Sequence, residues 1–267
     1  MRIFSKAAHK GPAQAAAHWG RAQGPTPARL PRPPGHTWYD YPVDLLRPHL
    51  RLLAEAFDVA TAGAPWALAG GYALQAHELI QRPHANVDLA TESAEPMPRL
   101  AEALAAALTS GGRHEAALQD SDPLSAHLAV LDRTTDTVLR LALHKETFWS
   151  PPVATSYGPV LSLPDAVGTK VRALYDRGLA VDLIDARAAS ARFTHPDLEE
   201  LARRHARDDF DLPTLQARLT GTDHYPDSAF TAYGLAEDQL TDLRAWAQSW
   251  STDIAERLLE EGASPDE

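Results

Sequence analysis

The chain has 267 residues, 44% of them apolar, and its 25 Lys and Arg against 36 Asp and Glu give a net charge of −11. That length suits one large domain or two moderate ones. It contains no cysteine, which excludes disulfides, thiolate metal sites and cysteine nucleophiles and suits a cytoplasmic protein. No apolar run approaches the ~20 residues of a membrane span, so no membrane contact is expected.

Residues 1–36 hold Arg2, Lys6, Lys10, Arg21, Arg29 and Arg32 and no acid, a net +6, so residues 37–267 sum to −17. The basic stretch carries six of the 21 prolines and reads as a disordered arm, although an acid-free, arginine-bearing start also fits an organellar transit peptide. A body this acidic is a poor general binder of nucleic acid, which demands clustered cations; a local basic groove stays compatible with it.

Beyond the arm, Leu45, Leu46, Leu50, Leu53 and Phe57 predict a helix over 42–59. A strand at Trp66–Ala69 leads through Gly70-Gly71 into a helix reaching about Gln81, and a second strand spans Asn86–Thr91. A helix follows at 96–109, then strands Leu124–Asp132 and Thr137–Leu143 around a turn at Arg133–Asp136, a hairpin. The run predicts a small mixed sheet with helices on one face. Val160–Leu163 is a short extended piece, and Ser162 caps a helix ending at Gly178. Helices at 181–192, 196–207, 212–220 and 236–261 complete the chain. The expected class is α/β, a mixed sheet with helices at 37–160 followed by an all-helical domain at 161–261 and a frayed tail at 262–267, with a cleft between the two domains. Tyr225, Phe230, Tyr233, Trp246 and Trp250 read as core of the helical part. Arg203, Arg204 and Arg207, with Asp208, Asp209 and Asp211 close behind, read as a solvated, self-paired surface.

Gly70-Gly71 lets the backbone bend and bares helical N–H groups, a natural phosphate site, although such a pair is equally a structural turn. Asn86 and Asp88, two apart on a strand, point from one face, as magnesium-binding carboxylates would. Lys170, Leu174 and Arg177, and Asp182 and Asp185, have helical spacing, which by itself needs no more than a solvated lysine and acids that cap or salt-bridge.

Taken together, Leu68-Ala-Gly-Gly-Tyr-Ala-Leu74, Arg82 through Asp88-Leu89, Gly158-Pro-Val-Leu-Ser-Leu163 and Lys170-Val-Arg-Ala-Leu-Tyr-Asp-Arg177 with Asp182-Leu-Ile-Asp185 resemble the AbiEii/AbiGii-type nucleotidyltransferase toxins of bacterial toxin–antitoxin systems. The resemblance covers about residues 60–195. It implies a polymerase-β-like fold and Mg²⁺-dependent transfer of a nucleotide from an NTP to an RNA or protein acceptor, with an antitoxin protein as possible partner. Gly70, Gly71, Arg82 and Lys170 would bind the nucleotide, Asp88 and Asn86 the metal, and Asp182 matches an acidic position on the following helix.

The departures from that pattern shape the expectation. The first acid of Asp-x-Asp is Asn86, the strand expected to carry the third carboxylate has Ala142, a usual threonine is His84, and the arginine before Asp182 is replaced by Ala180 and Val181. Glu92, Glu146 or Asp136 would have to substitute. Two-metal transfer is therefore expected to be attenuated or lost. The alternatives are a nucleotide- or partner-binding pseudoenzyme, and metal-free acid/base chemistry by His84, Asp88 and His144.

Overall fold

The computed structural model describes residues 47–60 and 64–263. The basic arm, the first residues of the helix expected from position 42, and the last four residues of the tail lie outside them. A seven-stranded mixed sheet carries helices, and an all-helical segment follows it, an α/β architecture.

Helix α1 (Arg47–Ala60) precedes strand β1 (Ala67–Ala69), helix α2 (Gly70–Ala76), strand β2 (Val87–Thr91) and helix α3 (Met97–Ser110). Strands β3 (His114–Ser121), β4 (Ser125–Asp132) and β5 (Thr137–Lys145) form an antiparallel meander, and β6 (Val153–Thr155) pairs with β7 (Gly158–Val160). The sheet order is β3-β4-β5-β2-β1-β7-β6, with β2 parallel to β5 and antiparallel to β1. Leu100, Leu104 and Leu108, one helical turn apart, bury against Leu128, Val130, Leu139, Leu141 and Leu143, which alternate along their strands. The other face of β4 and β5 keeps Ser125, His127 and Arg140 in contact with water.

The expected hairpin forms, with Asp136 at φ 53° closing its turn. Two expectations are corrected. Helix α2 stops at Ala76 instead of near Gln81, because the chain turns through Glu78 at φ 61°, a left-handed conformation that no helix continues through. The sheet is larger than expected, because His114–Ser121 forms a full edge strand and β6 and β7 extend the opposite side.

The helical segment comprises α4 (Leu163–Arg177), α5 (Ala180–Ala189), α6 (His195–His205), α7 (Leu212–Thr220), the short α8 (Ser228–Thr231) and α9 (Glu237–Ala263). Gly178, at φ 61°, ends α4 in the left-handed conformation that favours glycine. Buried Glu199 on α6 takes two bonds from Arg257 and one from the Trp250 indole at 2.8 Å, tying α9 to α6. Phe230 and Trp250 are core as expected, whereas Tyr233 is 36% exposed. Among the described residues no helix is long and apolar enough to cross a membrane.

Ser162 caps α4 through its hydroxyl, which accepts from the Asp165 N–H at 3.2 Å and donates to the Asp165 carboxylate at 2.8 Å. Ser162→Ala should lower unfolding stability by about 1 kcal/mol. Urea denaturation measures this, and an unmoved midpoint would show that the cap contributes nothing.

Candidate functional site

The site gathers where α2 leaves β1. Asp88 pairs in register with Ala69, the residue before the turn, and its carboxylate lies over Gly70. A Cβ at Gly70 would stand 2.1 Å from Asp88 Oδ2, and the residue has φ 61°, so glycine is required twice over. Gly71 is constrained in the same way, since a Cβ there would meet His84 Nδ1 at 2.3 Å. Both glycines are thus covered by side chains of this chain.

Asp88 Oδ1 accepts a 2.7 Å bond from the Asn86 amide and lies 3.5 Å from His144 Nε2. Burial pushes the Asp88 carboxyl up, but the His144 bond and charge, with Lys170 beyond, outweigh it and hold the carboxyl below its ordinary value. On the neighbouring parallel strand the residue directly beside Asp88 is Ala142, and His144 follows two residues on from the same face.

Behind this pair lies a buried ionic cluster. Asp185 is fully buried and accepts from Arg82 at 2.8, 2.9 and 3.2 Å and from Lys170 at 2.9 Å. Burial pushes its carboxyl up, and Lys170 and Arg82 more than offset this, keeping it ionised. Asp182, equally buried, receives two 2.7 Å bonds from Arg177 across the Gly178 turn. Lys170 is therefore not a free surface lysine, and Asp182 and Asp185 are salt-bridged.

His84 and Asn86 precede strand β2 and do not lie on it. The His84 ring is buried between Gln75 Oε1 at 2.8 Å and Arg82 at 3.2 Å. Because Arg82 can only donate, His84 Nδ1 accepts and the proton sits on Nε2, facing Gln75. Burial, reinforced by Arg82, pulls the His84 pKa down to about 3. Of the three residues considered for acid/base work, the structure brings Asp88 and His144 together and commits His84 to packing, against Tyr72 at 4.3 Å between ring centroids.

The donor set does not fit a magnesium clamp. It offers one carboxylate, an amide that turns its N–H to that carboxylate, and an alanine. Glu92 accepts from the Phe148 N–H, Glu146 is engaged by Arg172, and Asp136 sits in the hairpin turn. Among the described residues no cluster of three or more His, Asp or Glu side chains could hold a metal ion.

No family model and no curated protein matches the chain. Solved structures similar to it include JHP933 from Helicobacter pylori, 16% identical over 81% of this chain and 96% of that one, with a TM-score of 0.48. Another is the nucleotidyltransferase toxin MenT4 from Mycobacterium tuberculosis, 16% identical over 76% of this chain and 87% of that one, with a TM-score of 0.49.

Four residues not assigned to the site from the sequence take part in it: Gln75, Arg177, Tyr72 and Tyr233, whose ring lies 5.6 Å from the Arg82 guanidinium. Gln75 had a signal, since it stands one helical turn after Gly71 and so shares the face His84 covers. Arg177 and Asp182 straddle a helix break, where helical spacing is silent.

A neutral buried His84 has a pH signature. Its folded pKa of about 3 lies below the unfolded value near 6.5, so its contribution is complete above pH 6.5 and declines as pH falls toward 3. Between pH 7 and 5 this one group should cost about 2 kcal/mol of stability. Denaturant titrations should show a shallower decline for His84→Gln than for the wild type; parallel declines would mean that His84 is not held neutral.

Proposed function

We infer that the chain is a nucleotidyltransferase-type protein of the AbiEii-like toxin kind whose Mg²⁺-dependent transfer from an NTP to an RNA or protein acceptor is attenuated or lost. The observation that carries this reading is the register pair Asp88–Ala142. A transferase clamp needs two or three carboxylates converging from adjacent strands to hold two metal ions between attacking and leaving oxygens. Here the strand pairing is suited to that convergence, and one side of it is a methyl group.

The charge arrangement supports the same reading. In a working clamp two acids this close are held together by cations. In this chain Asn86 stands 2.7 Å from Asp88 as an N–H donor, so the amide supplies the positive end that a metal would otherwise supply. Removing two of three carboxylates costs several kcal/mol of transition-state stabilisation, where ~1.4 kcal/mol is a factor of ten in rate. What remains is a cleft whose Arg82, Lys170 and Arg177 could meet nucleotide phosphates only by exchanging with Asp185 and Asp182. An antitoxin-like protein partner is part of the same reading.

The reading is tested by reversing the loss. The Asn86→Asp/Ala142→Asp variant places three carboxylates together, so without metal it should be less stable than wild type, and Mg²⁺ should raise its melting temperature while leaving wild type unmoved. The variant should also transfer label from an NTP to RNA at least tenfold faster than wild type. Calorimetry with each NTP, with and without Mg²⁺, should show metal dependence only in the variant. A folded variant that gains neither Mg²⁺ stabilisation nor transfer would sink the assignment. Strong Mg²⁺-dependent transfer by wild type would sink the inferred loss.

A further inference from the structure

A second recess, of about 360 Å³, opens at the carboxyl ends of β2 and β5, away from the Asp88 cluster. Its charged walls are Lys145, Arg172, Arg204 and Arg207 against Glu92 and Glu146, four cations to two acids. Residues 37–267 sum to −17, so a local excess of cations is a departure from the rest of the surface.

The pairing within the recess determines what charge is left over. Arg172 and Glu146 cancel, joined by two bonds of 2.7 and 2.8 Å and both largely buried. Lys145 Nζ donates to the backbone carbonyls of Ser93 and Glu95, which fix it without neutralising it. Arg207, 36% exposed, bonds the Lys145 carbonyl at 3.4 Å, pairs at 3.5 Å with the Glu146 that Arg172 already engages, and lends part of its field to Asp122 and Asp176. All three arginines are paired, but not with the aspartates that follow them: Arg203 and Arg204 both bond Glu200, at 3.0 and 3.1 Å, and Arg207 turns toward Glu146.

Beside the recess stands Trp149, 56% exposed. An exposed tryptophan usually moves freely, but this one is anchored. Its backbone N–H bonds Asp165 at 3.3 Å, its indole N–H bonds the Arg204 carbonyl at 3.2 Å, and the Arg204 guanidinium lies 5.7 Å from its ring. A fixed aromatic face flanked by cations that outnumber the acids they pair with, Arg203 and Arg204 sharing Glu200 while Arg172 and Arg207 share Glu146, is a combination suited to an unpaired base together with its phosphate.

We propose that Trp149 and the Lys145–Arg204–Arg207 recess form a binding site for single-stranded nucleic acid, with a base stacked on the indole and a backbone phosphate in the recess. A duplex hides its base faces and could use only the phosphate half of the site. The site is distinct from the Asp88 cluster, and its existence does not depend on any transfer reaction.

The test is fluorescence anisotropy of the full chain with a short labelled oligoribonucleotide and with the same strand annealed into a duplex, without NTP. Single strands should bind with strong salt dependence. Trp149→Ala should weaken that binding about fivefold or more while leaving duplex binding unchanged, and Trp149→Phe should retain most of it. Arg204→Gln/Arg207→Gln should reduce affinity about tenfold and flatten the salt slope by about one. The cations before residue 37 are common to every variant, so differences between variants read the recess alone. Absent single-strand binding, equal binding by folded variants, or equal loss on duplex and single strand with Trp149→Ala would each overturn the proposal. Because no nucleotide transfer is read, oligonucleotide binding can succeed where the transferase reading fails, and the reverse.

Discussion

The Asp185 carboxylate, with no exposure to water, is the interaction on which the rest of the site depends. It belongs to α5, one of its cations to α4, and the other to the segment entering β2, so a single buried charge joins the sheet to the helical segment. Such a cluster is not a source of net stability over well-packed apolar side chains, because desolvation consumes most of the Coulombic gain. Removing one partner is another matter, since it leaves a buried charge uncompensated at about 3–5 kcal/mol. What the cluster supplies is position. With Arg82 fixed on Asp185, its remaining N–H points at His84; that sets the His84 tautomer, directs Nε2 to Gln75, and presses the ring onto the α carbon of Gly71.

This chain of constraints makes the cluster electrically self-sufficient. Asp182 and Asp185 are matched within the protein by Arg177, Arg82 and Lys170, and Asp88 is held by Asn86 and His144. A metal-dependent transferase cleft works the other way: it carries excess negative charge that becomes favourable only when cations and phosphates arrive together. On the proposed reading, the two substitutions relative to the family pattern, Asn86 and Ala142, act in one direction, each removing a charge whose only compensation was a metal.

The sequence made the skeleton of this site legible and its wiring illegible. Gly70-Gly71 announces a strand-to-helix turn because only glycine tolerates the required backbone at Gly70, and the two-residue spacing keeps Asn86 near Asp88 although Asn86 lies just before the strand. Position 142, where the resemblance implied an acid, is the register partner of Asp88; that pairing joins two distant strands, so the residue pattern alone could not have pointed to it. The bonds from Arg82 to Asp185 join residues 103 apart, and no periodicity encodes such a contact. Strand β3 escaped for a different reason. His-Glu-Ala-Ala-Leu-Gln-Asp-Ser has little β-branched or aromatic character, and its pairing with β4 along an otherwise open edge decides its conformation. The early end of α2 was hidden too, since a left-handed glutamate carries no sequence mark comparable to glycine.

The same contrast between local and distant pairing separates the two charged regions of the molecule. In the buried cluster each cation meets a carboxylate from another element, so its field ends within the protein. In the recess Lys145 is held by neutral carbonyls and Arg207 by an acid that Arg172 has already satisfied, so part of their field reaches solvent. The surrounding acidic surface does not cancel it at contact distance, because salt screens charges beyond roughly 8–10 Å whereas a bound phosphate touches the cations directly. Net charge therefore governs how often a polyanion approaches this protein, and the arrangement of partners governs where it can stay.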